Sequence, residues 1–215
     1  MTKKEIAEII QHELTDKNWG FTEQILEIHS PVYQNDNISI GNITESDKEI
    51  AAYIPIMNEP FYLTFYINLE SKEITGISTE PNVSVYFKAT SDKINSTELE
   101  QMIQLQTTES WNKGEQKQIK TGSYDISGII IEIDKNPDTF ERKLNFLLSE
   151  LQKDKNGILK LSEVAKTTIH VHIDFHNDNG MIGSPFLSKD HIKKLSELNL
   201  SIDFDLYVSG KQYIN

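Results

Sequence analysis

Thr168-Ile169-His170-Val171-His172-Ile173-Asp174-Phe175-His176 alternates without a break between two kinds of side chain. A period of two marks a β-strand, whose successive side chains point to opposite faces. Ile169, Val171, Ile173 and Phe175 therefore share an apolar face, and His170, His172, Asp174 and His176 a polar one. Strands covered by helices on both faces read as continuous apolar runs, so this alternation places helices on one side of the sheet only. Residues 201–208 repeat the pattern, with Ile202, Phe204, Leu206 and Val208 against Ser201, Asp203, Asp205 and Tyr207. As sheet neighbours, the two stretches would gather His170, His172, Asp174, Asp203, Asp205 and Tyr207 on one polar face, beside water or beneath the N-terminal part.

Working outward, strands and helices alternate. Residues 83–90 read as a strand. Asn95 and Glu98 have capping-box spacing ahead of Leu99, Met102 and Ile103. In residues 123–133 the apolar positions shift from even (Tyr124, Ile126) to odd (Ile129, Ile131, Ile133), which predicts a bulge at Gly128. Asp138 and Glu141 open a helix whose Phe140, Leu144, Leu147, Leu148 and Leu151 form one stripe. A second helical piece, residues 158–166, follows a break at Asn156-Gly157. After the histidine strand come a loop, Asn177-Asp178-Asn179-Gly180, and a helix over residues 188–199. The expectation is an α+β two-layer helix-on-sheet sandwich of ferredoxin-like flavour, spanning residues 83–212.

Residues 1–80 read as a smaller acidic α+β domain, a helix and then a strand meander. Thr2 and Glu5 have capping-box spacing, and Ile6, Ile9, Ile10 and Leu14 form a helical stripe. Candidate strands are residues 23–29, 48–57, 61–69 and 74–79, with polar turns at 34–37 and 44–47 and a hairpin connection at 70–72. In the third strand Phe61, Leu63, Phe65, Ile67 and Leu69 point inward and Tyr62, Thr64, Tyr66 and Asn68 outward. The pattern restarts at Thr79-Glu80-Pro81-Asn82, the expected boundary.

With 215 residues, 37% hydrophobic and 25% charged, the chain can bury a core. No apolar run approaches the roughly 20 residues of a bilayer span, and the start leads into an amphipathic helix rather than a secretory signal, so a cytoplasmic protein is expected. Cysteine is absent, which excludes disulfides, thiolate metal sites and cysteine nucleophiles. Residues 1–82 hold five Lys and no Arg against fourteen Asp and Glu; the remainder holds sixteen basic against nineteen acidic residues. Most of the net charge of −12 thus sits in the front third. Such a surface repels nucleic acid and attracts a basic protein.

Thr108-Glu109-Ser110-Trp111-Asn112-Lys113-Gly114, placed after a strand and a helix, resembles the signature of a bacterial family catalogued as domain of unknown function 4279. The long amphipathic helix, the alternating strand and the ending Leu200-Ser201-Ile202-Asp203-Phe204-Asp205-Leu206-Tyr207-Val208 look like that family's later landmarks. The resemblance covers roughly residues 83–210 and implies a bacterial source, but no activity. Trp111, with Gly114 beside it, reads as a fold anchor packing back on the sheet edge, its N–H used locally.

Imidazoles two apart on a strand can share a metal ion, and His170, His172 and Asp174 are candidates, with Asp203 or Asp205 completing the set from the next strand. Same-face residues two apart are separated by about 6.6 Å, so a row of four ligands is not expected, and a solvated polar face competes with the metal reading. His29 lies far from this row in sequence. A hydrolase would draw on Ser184, Asp178 and Asp190 near His176, but no spacing suggests a base, an orienter and an oxyanion pocket together. No cofactor is implied. The expectation is a non-enzymatic protein-binding module, an immunity-type antagonist of a basic toxin, with Glu45, Asp47, Glu49, Tyr62 and Tyr66 as contact candidates; no nucleic acid or membrane partner is expected. The alternative is a metal-binding protein or metal-dependent enzyme centred on the histidine row.

Overall fold

Two apolar clusters, each between a sheet and its helices, organise the chain in a computed structural model that describes residues 1–117, 121–177 and 183–213. The fold is α+β. The first cluster belongs to α1 (Lys3–Asp16), α2 (Gly20–Ile28), the small hairpin β1 (Tyr33–Gln34) and β2 (Asn37–Ile38), and an antiparallel meander of β3 (Asn42–Glu45), β4 (Glu49–Pro55), β5 (Tyr62–Asn68) and β6 (Ile74–Glu80). The Thr2–Glu5 capping box is present, and Ile6, Ile10 and Leu14 are buried. Phe61, Leu63, Phe65 and Ile67 are almost wholly enclosed, as the alternation of that strand requires.

Two local expectations fail in this half. Residues 23–29 form no strand; residues 20–28 are α2, with Thr22, Ile25 and Ile28 buried at three-residue spacing. Its N-cap, Trp19, supplies no side-chain bond. Instead the buried Glu13 of α1 accepts from the Trp19 N–H at 3.0 Å and the Thr22 hydroxyl at 2.6 Å, placing a carboxylate at the helix N-terminus. Residues 44–47 are not all turn either: Thr44 and Glu45 pair with Ala51 and Ile50, so the turn begins at Ser46.

The second cluster lies under a five-stranded sheet. Its elements are β7 (Asn82–Ser91), α3 (Ser96–Glu100), β8 (Glu109–Trp111), β9 (Ser127–Ile131), α4 (Phe140–Lys153), α5 (Lys155–Val164), β10 (Lys166–His176), α6 (Lys189–Glu197) and β11 (Ser201–Ser209). The strand order is β11-β10-β7-β9-β8. β10 and β11 run parallel at the sheet edge and the other pairs are antiparallel. The stripe of α4, Phe140, Leu144, Leu147, Leu148 and Leu151, is buried.

Gly128 is not a bulge. The β7–β9 register runs unbroken through Thr90↔Gly128 and Ser91↔Ser127, and the even-numbered Tyr124 and Ile126 lie before the strand begins. The helix break falls at Asp154 rather than Asn156-Gly157, because the Asp154 carboxylate accepts from the Gly157 N–H at 3.3 Å and the Gln104 N–H at 2.5 Å. The predicted loop at residues 177–180 lies outside the described residues beyond Asn177.

β10 and β11 are neighbours, with Ile169 opposite Ile202, His170 opposite Asp203 and His172 opposite Asp205. Ile169, Val171, Ile173 and Phe175 are buried beneath helices. The apolar face of β11 is covered only at its start: Ile202 and Phe204 pack on the core, whereas Leu206 and Val208 are 54% and 50% exposed. Phe204 is met by Phe140 at the start of α4, their ring centres 5.6 Å apart.

Candidate functional site

The polar face of β10 is divided between neighbours. His170 stacks on Tyr86, its cross-strand partner on β7, with ring centres 5.5 Å apart and planes 8° from parallel. His172 leans the other way and stacks on Tyr207 of β11 at 4.7 Å. Asp174 accepts a hydrogen bond from the Ser209 hydroxyl. Asp203 and Asp205 are exposed on β11. Burial, helped by Lys88, pushes the His170 imidazole below its ordinary pKa, against the pull of Asp203 and Asp205. The two imidazoles are thus drawn to opposite strands rather than towards a common point. Among the described residues no group of three or more His, Asp or Glu side chains could hold a metal ion.

The fourth member of the row behaves differently. His176, 1% exposed, lies beneath the N-terminal part, where its Nε2 meets His29 Nε2 at 3.1 Å and the Lys211 carbonyl at 2.9 Å. Both environments considered for the polar face therefore occur on one strand. The ring of Phe61 packs on His176 at 4.6 Å, and Tyr213 approaches its other side at 5.2 Å. Glu59 lies 3.5 Å from His29 Nδ1.

One proton arrangement satisfies these contacts. His176 carries its proton on Nε2 and donates towards both the Lys211 carbonyl and His29 Nε2, while His29 carries its own on Nδ1, facing Glu59. His176 Nδ1, buried without a hydrogen-bond partner among the described residues, is then an unfilled acceptor rather than a stranded donor. A metal on His176 Nε2 would reverse this, placing the proton on Nδ1 with no acceptor for it among the described residues. Burial, with His176 and Lys211 alongside, holds the His29 pKa down to about 4.

The chain after β11 closes over this junction. Gly210 has φ +91°, and a Cβ there would lie 2.6 Å from Phe61 Cε1. Lys211 Nζ donates to the Ile28 carbonyl at 3.2 Å.

A cleft of about 320 Å³ opens where β6 passes into β7, between the meander and the first turn of α4. Its walls combine the rings of Tyr53, Phe140 and Phe175 with the carboxylates of Glu80, Asp138 and Glu141. Asp138 is tied to Arg142 at 3.0 Å, and Glu141 accepts from the Phe186 N–H at 2.9 Å. Glu80 has no ion-pair partner among the described residues; it accepts from the Tyr66 hydroxyl at 2.6 Å. Burial pushes the Glu80 pKa up, and the hydroxyls of Tyr66 and Ser78 oppose that rise. Tyr53, buried beside Asp138, is pushed up to about 12. Asn42 donates to the Pro137 carbonyl at 2.6 Å, joining the two walls.

Of the contact candidates, Tyr66 is half-buried against Glu80, and Tyr62 meets Tyr53 edge-on at 6.0 Å. Glu45 and Asp47 are exposed at the β3–β4 turn, and Glu49 accepts from the Thr75 hydroxyl at 2.7 Å. Ser184 lines the cleft, Asp190 lies in the first turn of α6, and Asp178 is outside the described residues. The Trp111 indole is buried, donates to the Ile126 carbonyl at 2.9 Å and stacks on Tyr124; Gly114, at φ +86°, donates to the Tyr124 carbonyl. Sequence reasoning missed the His29–His176 pair and the cleft. Their members are distant in sequence and share no spacing.

Among the described residues no helix is long and apolar enough to cross a membrane. No curated protein and no solved structure matches the chain. A family model described as Domain of unknown function (DUF4279) matches residues 81–209. The match begins at Pro81, between β6 and β7, and ends on the last residue of β11, so it takes in the whole five-stranded sheet and its helices. With more than half its length matched, the chain belongs to the DUF4279 family.

Proposed function

We propose that the chain is a non-enzymatic, cytoplasmic bacterial protein-binding module that captures a basic protein, in the manner of an immunity protein against a basic toxin. The observation that supports this reading is the cleft, where Glu80, carrying no ion-pair partner among the described residues, sits beside the rings of Tyr53 and Phe140. A guanidinium or ammonium group entering there would meet a poorly solvated carboxylate and aromatic faces, both favourable to a cation. The acidic surplus of the first 82 residues would steer such a partner inward, raising the association rate.

The test is capture from the native host followed by reconstitution with the purified partner. A basic protein should bind with an association rate that falls as salt rises. Glu80→Gln should weaken the complex about tenfold or more. Recovery of no partner, or of one indifferent to salt and to Glu80→Gln, would remove the proposal.

A further inference from the structure

We infer that the outer edge of β11 receives an extended basic segment of the partner as an added strand, an inference that rests on the basic-partner reading above. β11 is the terminal strand of its sheet and, among the described residues, pairs only with β10. Its pairing with β10 runs through nine consecutive positions, from Thr168↔Ser201 to His176↔Ser209, without a bulge. Short, bulged or covered edges discourage strand addition. The opposite edge, β8, has only three residues, whereas β11 offers nine in regular register.

The two faces of this edge define the segment that fits. An added strand presents alternate side chains to the two sides of the sheet. On the helix side, Leu206 and Val208 are about half exposed next to the buried Ile173 and Phe175, so apolar residues there would extend a strip that begins in the cleft at Phe175. On the other side Asp203 and Asp205 are exposed and enter none of the ion pairs among the described residues. Lysine or arginine at the intervening positions would meet them as cross-strand opposite charges. Charge also argues against a second copy of this chain. A two-fold pairing of β11 with itself centred on Phe204 would set Asp203 opposite Asp205 of the copy, and like charges opposite one another are destabilising.

The probe is a nine-residue peptide with lysine at alternate positions and valine between, compared with its glutamate counterpart by fluorescence anisotropy at low salt. The lysine peptide should bind and the glutamate peptide should not. Asp203→Lys with Asp205→Lys should weaken the lysine peptide at least tenfold. Methylating alternate backbone amides of the lysine peptide, which keeps every charge, should weaken it by a similar factor on the edge it presents to β11.

Equal binding of the methylated peptide would overturn strand addition, as would no lysine-peptide binding at millimolar concentration. A wild-type dimer in sedimentation that the double reversal dissolves would overturn it in favour of self-pairing. Because Asp203 and Asp205 are exposed, Asp203→Asn with Asp205→Asn provides a second, milder variant whose intermediate weakening supports the same reading. Equal binding of the captured basic partner to the wild type and the double reversal would sink the edge inference alone. Capture of no basic partner would sink the reading beneath it.

Discussion

Trp111 occupies the space that a side chain at Gly128 would need. The two residues face each other across β8 and β9, and a Cβ on Gly128 would lie 2.8 Å from Trp111 Cε2 and closer still to Cζ2. The indole is buried there, with its N–H on the Ile126 carbonyl, and Lys88 Nζ lies 5.7 Å from its ring centre. Gly128→Ala should therefore displace the ring and cost about 1–3 kcal/mol, the usual range for overpacking. In a Trp111→Ala background the same substitution should cost far less. Urea midpoints of the four proteins form the cycle, and additive losses would show that the two positions do not compete.

Gly128 also shows what could be read from the sequence and what could not. The phase change around it is visible in the sequence and a bulge is its nearest local explanation, but Tyr124 and Ile126 lie before the strand, and the indole that requires a glycine stands seventeen positions earlier. The faces of β10 and β11 were legible because strand alternation is a local property. His29 and His176 were not, being brought together only by the packing of the N-terminal part against the end of β10. The cleft likewise joins residues of β4, β6, α4 and β10, which no spacing connects.

Glu13 gives the clearest test of a nonlocal helix start. Its carboxylate receives the Trp19 N–H, which a Glu or Gln three positions into the helix accepts in a capping box, together with the Thr22 hydroxyl. Glu13→Ala should destabilise the protein by about 1–2 kcal/mol, in the range of a lost cap. Hydrogen exchange should accelerate first in residues 20–28. Uniform acceleration across the chain would mean that Glu13 serves the whole core rather than this helix.

His29 makes stability pH-dependent in a defined direction. Its pKa lies near 4 in the folded chain against an ordinary 6.5, so between these values the unfolded chain binds the proton first. The contribution is complete above 6.5 and declines as pH falls towards 4. Protonation would also turn His29 Nε2 from an acceptor into a donor facing His176 Nε2–H. Urea midpoints measured from pH 7.5 to 5 should fall for the wild type and fall less steeply for His29→Gln. Parallel slopes would move the pH dependence elsewhere.

Glu80 separates function from stability. Burial raises its pKa above the ordinary carboxylate value, so the folded chain holds the proton more tightly than the unfolded one. Stability attached to this group is therefore present at low pH and lost as pH rises through its folded pKa; at pH 7 the bare charge is a burden. Glu80→Gln removes the charge and keeps an oxygen to accept from the Tyr66 hydroxyl. Its melting temperature at pH 7 should equal or exceed that of the wild type, while its affinity for a basic partner falls. Tyr66→Phe should do the opposite to stability, lowering it by about 1–2 kcal/mol by taking a hydrogen bond from a half-buried carboxylate. A large loss of melting temperature in Glu80→Gln would make the carboxylate a structural group, and the cleft would then lose its claim to be where a cation is received.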